Sequence, residues 1–179
     1  MNQKDHIKAT ALSLFATHGY GHTSIAQIAR TAGVAQGLMY NFYASKEALL
    51  QDILLEGLQD VLQSLSAYTQ MHDPRLALRA HIRATVQTVT ERAEFWRLFH
   101  GIRLQSAVRE LLGAQFLEAQ KNIVKTLAGN FKKLRYPHPT EEARLFFAQI
   151  DGMVGLYLVD PKAFDLTKME KALYKRYKL

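Results

Sequence analysis

Residues 23–47, TSIAQIARTAGVAQGLMYNFYASKE, constrain this chain more than any other stretch. Thr23 and Ser24 suit a helix start, because a hydroxyl oxygen can accept a free backbone N–H of the first turn. Ile25, Ile28, Ala29 and Ala32 then fall on one face at helical spacing. Gly33 stands where a helix stops and the chain turns sharply, and Val34 plugs the corner. A second short helix is expected from Ala35 to about Tyr43, with Met39 and Phe42 facing inward. Ser45-Lys46-Glu47 opens the next helix. Two short helices across a tight turn, followed at once by a capped third, make a helix-turn-helix. That shape places its second helix in the major groove of DNA.

The rest of the chain has to accommodate this motif. At 179 residues it supports one large domain or two small ones, and 48% hydrophobic with 22% charged residues is an ordinary globular composition. The absence of cysteine excludes disulfides and thiolate metal sites and allows a reducing cytosol without proving it; a cytoplasmic location is the expectation. The polar residues 1–10 lack the apolar stretch of a signal peptide. The most apolar run, Leu145–Val159, contains Gln149 and Asp151 and is too short to span a bilayer, so no membrane partner is expected.

The net charge of +7 favours a polyanionic partner only weakly. Residues 1–50 carry Lys4, Lys8, Arg30 and Lys46 against Asp5 and Glu47. The excess lies in residues 121–135 and after Asp160, where solvated helix faces account for it more simply than a second nucleic-acid surface.

Helical periodicity persists throughout, with no competing strand pattern. A first helix is expected over 4–18, with Ile7, Ala11, Leu14 and Phe15 as its stripe, ended by Gly19-Tyr20-Gly21. A fourth runs from Ser45 to about Tyr68 through Leu49, Leu50, Ile53, Leu54, Leu58, Val61, Leu62 and Leu65. Asp73-Pro74 starts another, to about Thr90. Further helices are expected over 93–104, over 106–134 with Gly113 as a candidate break, over 140–160 and over 166–177. The fold class is therefore all-α, about nine helices. A three-helix head over 1–45 would precede a larger helical-bundle body over 46–179.

The spaced set Phe15, Gly19-Tyr20, Thr23-Ser24-Ile25, Ile28-Ala29, Ala32-Gly33-Val34, Gly37, Tyr40, Ser45-Lys46-Glu47 and Leu49 resembles the TetR family of bacterial transcription repressors. The resemblance covers about the first 50 residues. Beyond them it rests on helix count and on Asp151-Gly152 within a penultimate apolar helix. It implies a homodimer with DNA-binding heads, and a body that dimerises and binds a small-molecule effector. On effector binding the heads change spacing and release a palindromic double-stranded operator.

The residues themselves suggest the DNA chemistry. The recognition helix would expose Gln36, Gly37, Leu38, Tyr40 and Asn41. Gln and Asn can pair with an adenine edge and Leu38 can touch a thymine methyl. With no Arg or Lys on the helix, A·T-biased contacts are expected. Gly37 permits close backbone approach, and Tyr40 can hydrogen-bond a phosphate. Thr23 or Ser24 can offer a hydroxyl and a helix N-terminus, and Lys46 a charge. Each has a structural alternative: Thr23 as a cap, Tyr40 as interhelical packing, Lys46, Gln36 and Asn41 as solvated residues. Ala35 and Leu38 depart from the Ser or Thr and the Thr that the family often carries there.

In the body, Trp96, Phe99, His100 and Arg103 follow helical spacing, and Tyr157 adds a polar handle, as do Tyr68, His81, Gln149 and Asp151. An apolar wall with few polar groups suits an effector with an acidic or hydrogen-bonding end. The alternative puts Trp96 and Phe99 in the core and His100 and Arg103 on the surface. The helix 140–159 is apolar around most of its circumference, so Phe146, Phe147, Ile150, Met153 and Val154 are candidates for a dimer interface; a central helix of a monomer is the alternative. No metal-ligand pair at helical spacing, phosphate loop or nucleophile motif is present, so no enzyme, cofactor or metal is expected. The competing function is a helical binding protein that keeps the helix-turn-helix only as scaffold.

Overall fold

The computed structural model describes residues 2–66, 68 and 71–179, apart from the side chains of residues 64 and 65. Among the described residues there are nine helices and no strand. They are α1 (Gln3–His18), α2 (Ile25–Thr31), α3 (Gln36–Phe42), α4 (Lys46–Ser66), α5 (Pro74–Glu91), α6 (Ala93–Ile102), α7 (Ser106–Lys133), α8 (Pro139–Val159) and α9 (Leu166–Tyr177). The expected end of the fourth helix falls next to residues 67, 69 and 70, outside the described residues, as does the side chain of Leu65. The chain forms two compact units, Met1–Gln59 with Glu94–Leu112, and Asp60–Ala93 with Gly113–Leu179.

In the first unit local chemistry sets each helix end. Asn2 caps α1 by accepting the Asp5 N–H at 2.8 Å, and Gly19, at φ +86°, ends it. Ser24 caps α2 by accepting the Gln27 N–H at 3.1 Å. At the other end Gly33 takes φ +67°, its N–H meets the Arg30 carbonyl, and the Val34 N–H reaches back to the Ala29 carbonyl at 3.0 Å. This pair of bonds around a left-handed glycine is a Schellman stop, and it produces the sharp turn into α3. Ser45 caps α4 through the Ala48 N–H at 3.1 Å. Ile7, Ala11 and Phe15 of α1, Ile28 of α2, Met39 of α3 and Leu49, Leu50 and Ile53 of α4 are buried in this unit.

α6 belongs to the same unit and buries Phe95, Leu98 and Ile102. Phe95 lies directly on α4 at Gly57: a Cβ there would meet the ring at 2.1–2.8 Å. Phe95 is 5% exposed and stacked on Phe99, so the ring has no free direction of escape. Gly57→Ala would gain about 1 kcal/mol of helix propensity, but overpacking a filled site costs about 1–3 kcal/mol. The clash wins here because three ring atoms are involved. Urea denaturation should show Gly57→Ala less stable than wild type, and Gly57→Ala combined with Phe95→Leu should recover part of the loss. A Gly57→Ala protein more stable than wild type would refute the contact.

In the second unit α5, α8 and α9 pack together. α5 starts with Asp73 accepting the Arg75 N–H at 2.8 Å and Pro74 in the first turn. Its buried face includes Leu78, His81, Ile82 and Val89. Phe131 of α7, Phe146 of α8 and Tyr177 of α9 form an aromatic cluster with ring centroids 4.9–5.8 Å apart. Two expectations are corrected. α7 runs unbroken through Gly113, since Leu112 is fully buried and one helical glycine costs only about 1 kcal/mol. α8 starts at Pro139 rather than Thr140, because proline's missing N–H is harmless in a first turn.

Candidate nucleic-acid interface and ligand pocket

The turn at Gly33 leaves one side of α3 uncovered. Gln36, Gly37, Tyr40 and Asn41 are exposed, Tyr40 by 54%, and Leu38 is half-buried. Met39, on the opposite side, is fully buried. The exposed side therefore carries amides, a phenol and a bare glycine backbone, with no charged group. Ser24 is exposed as well, although its hydroxyl oxygen already caps α2.

Two of the residues expected to meet a phosphate are turned inward. Thr23 is 1% exposed, and its hydroxyl donates to the Gly19 carbonyl at 3.0 Å. It ties the end of α1 to the start of α2, which is a structural role. Lys46 donates to the carbonyls of Tyr20 and Thr23, both at 3.1 Å, and its ammonium stands 4.3 Å from the Tyr20 ring centroid. The Tyr20 hydroxyl in turn donates to Glu47 at 3.0 Å. Burial first, and then the Glu47 carboxylate, push the Tyr20 phenol well above its ordinary range, so it stays a donor. Lys46 is thus a staple between the 19–24 loop and α4. Sequence spacing does not reveal it, because a lysine in a first turn looks the same whether it points in or out.

α6 brings Trp96, Phe99 and His100 together, with ring centroids 5.9–6.2 Å apart, all three half-buried. The Arg103 guanidinium lies 5.7 Å from the Phe99 centroid. The Trp96 indole N–H is buried with no hydrogen-bond partner among the described residues. A buried donor left unsatisfied costs about 1–3 kcal/mol, a loss that a ligand acceptor would remove. Tyr157 belongs to the other compact unit and is half-buried.

On α8 three of the candidate interface residues turn inward. Phe146, Ile150 and Val154 are 0%, 3% and 1% exposed. They face the chain's own core, where Phe131 and Tyr177 meet Phe146. Met153 is also buried and Phe147 half-buried. The apolar face left open is Leu145, Ala148, Gly152, Leu156 and Val159, with Leu145, Leu156 and Val159 exposed by 58%, 59% and 84%. Beside it a groove of about 490 Å³ is lined by residues including Gly152, Met153, Leu156, Phe164 and Met169. Among the described residues no group of His, Asp or Glu is arranged to hold a metal ion, and no helix is long and apolar enough to cross a membrane.

Residues 7–53, which hold α1, the helix-turn-helix and the first turns of α4, match the family model of bacterial regulatory proteins, tetR family. Residues 7–53 thus form a TetR-family head. Within this TetR head lie the Schellman turn, the exposed α3 face and the Lys46 staple. MftR of Mycobacterium tuberculosis is 38% identical over 82 residues, which cover 44% of this chain and 40% of that protein. The chain thus spans about two fifths of that relative's length. The solved structure of the fatty acid degradation regulator FadR from Bacillus halodurans superimposes with a TM-score of 0.79 at 20% identity, over 98% of this chain and 94% of that one. AibR, solved in complex with isovaleryl coenzyme A and operator DNA, superimposes with a TM-score of 0.71 at 23% identity, covering 86% of each chain. At those identities the two structures speak for a shared TetR fold.

Proposed function

We propose that this chain is a ligand-responsive transcription regulator, a repressor that binds a palindromic operator as a homodimer and releases it when a small apolar effector binds. The observation that carries the reading is the uncovered side of α3, with Gln36, Gly37, Tyr40 and Asn41 exposed behind a rigid turn. The amides suit adenine edges and Leu38 a thymine methyl, so the operator core should be rich in A·T pairs. The functional division falls near residue 45, with 46–179 as the effector-binding and dimerising part. Cytoplasmic location accords with this role.

The effector site on this reading includes Trp96, Phe99, His100 and Arg103. The unpartnered Trp96 N–H supports it. An apolar ligand with an acidic or hydrogen-bonding end fits that lining, in keeping with the isovaleryl coenzyme A bound by AibR. The dimer contact is moved to the exposed α8 face, where Gly152 allows close helix approach.

Selection from random DNA followed by electrophoretic shift tests the DNA reading. Wild type should enrich a palindrome whose half-sites lie about one helical turn apart. Gln36→Ala with Asn41→Ala should weaken binding to that palindrome by about ten- to a hundredfold, since a bidentate base contact is worth about 1–3 kcal/mol. Binding to random duplex should change little. A guanine-dominated core would refute the A·T expectation. Failure to enrich any sequence would favour the scaffold-only reading, which the inward-turned Thr23 and Lys46 support.

A further inference from the structure

α3 cannot hold its own direction. It is seven residues long, opens on Ala35 without a side-chain cap, and carries Gly37 in its first turn. A helix that short is unstable by itself in water, so its orientation comes from its anchors. One is the buried Met39. The other is Tyr43, 5% exposed, whose N–H meets the Met39 carbonyl at 2.9 Å before the chain turns extended. The Tyr43 hydroxyl donates to Oδ2 of Asp52 on α4 at 2.7 Å. The same oxygen lies 3.2 Å from Nζ of Lys4 and 3.5 Å from Nζ of Lys8, both on α1. Lys8 also pairs with Glu56, and the Lys4 ammonium stands 5.3 Å from the Tyr43 ring centroid. Three helices therefore converge on one carboxylate. Burial raises the Asp52 carboxyl, but the hydrogen bonds from Tyr43 and Lys4 and the two lysine charges outweigh it and hold it below the usual range.

We propose that Asp52 is a positioning residue for DNA binding, which fixes the direction of α3 by holding Tyr43 and the two α1 lysines on one carboxylate. The link to DNA rests on the function proposed above; the positioning does not. Two effects of Asp52→Asn have opposite signs. Removing a negative charge strengthens attraction to any duplex. Loosening α3 weakens binding only to the operator, so the ratio of operator to random-duplex affinity isolates positioning.

The test compares wild type with Asp52→Asn, Tyr43→Phe, the double variant and, as a charge control, Glu110→Gln, an exposed residue of the same unit. Hydrogen exchange reads the amides of residues 39–43 against those of residues 11–15. Shift assays read the affinity ratio, using the operator enriched by wild type. Asp52→Asn and Tyr43→Phe should each speed exchange in 39–43 and lower the ratio about tenfold, the scale of a hydrogen bond to a charged acceptor. The double variant should match Asp52→Asn, because the Tyr43 bond is among the contacts that substitution already weakens. Glu110→Gln should leave both readouts at wild-type values. Uniformly faster exchange across both segments, or an unchanged ratio, would overturn the proposal. If wild type enriches no operator, the DNA reading fails, and the exchange experiment alone decides whether Asp52 positions α3.

Discussion

Acidification from pH 7 to 4.5 is expected to cost the fold about 2–3 kcal/mol through His81 alone. His81 is 2% exposed, between the Tyr68 ring at 4.8 Å and the Phe146 ring at 6.1 Å. Its Nδ1 has no hydrogen-bond partner among the described residues. Burial alone pushes the imidazole down to about 4 from 6.5. The unfolded chain therefore takes up a proton that the folded chain refuses. The titration of His81 costs the fold little above pH 6.5, and stability is lost as pH falls from 6.5 towards 4. The carboxylates held below their usual range, Asp52, Glu47 and Asp165, lose their contribution only below the ordinary carboxylate range. The two windows are thus separable. Urea denaturation at both pH values should show wild type weakened at 4.5. His81→Leu, which also removes the unsatisfied nitrogen, should be close to wild type at pH 7 and about 2 kcal/mol more stable than it at pH 4.5. A wild type with equal stability at both values would remove the claim.

Phe146→Ala should destabilise the chain by about 3–5 kcal/mol, the range for truncating a fully buried phenylalanine. That is a large share of the roughly 5–15 kcal/mol that holds a domain folded. The ring is completely buried and touches Phe131, Tyr177 and His81, so its removal leaves a void among aromatic neighbours that cannot close freely. Leu156→Glu, on the exposed side of the same helix, should change unfolding of the single chain by less than about 0.5 kcal/mol. On the proposed dimer face it should instead give a monomer in sedimentation at micromolar concentration. A Phe146→Ala protein of wild-type stability that sediments as a monomer would return Phe146 to the interface.

The same helix shows how far the chain can be understood without its partners. The apolar run over α8 was evident, but an all-round apolar helix has no preferred face until something packs against it. Phe131 and Tyr177 take one side, and they lie 15 and 31 residues away in the chain. The Asp52 hub left a faint signal: Lys4 and Lys8, both positive, are four apart, and so are Asp52 and Glu56, both negative. Nothing in the order of residues says that those two pairs meet. Lys46 and Thr23 followed the same rule: their polar atoms look available in sequence and are engaged in space.

Features governed by neighbours within a few residues were legible without the fold. The stops at Gly19 and Gly33 need left-handed φ, the caps at Ser24, Ser45 and Asp73 need a short acceptor, and helical periodicity sets the elements between them. The uncharged side of α3 belongs here too, because helical spacing puts apolar Met39 opposite the polar Tyr40 and Asn41. The tertiary structure alone decided which side of α8 joins the core, which polar side chains turn inward, and how α3 is tied to α1 and α4. Those outcomes come from packing and charge pairing between residues far apart in the chain, where the favourable partner exists only once the helices have met.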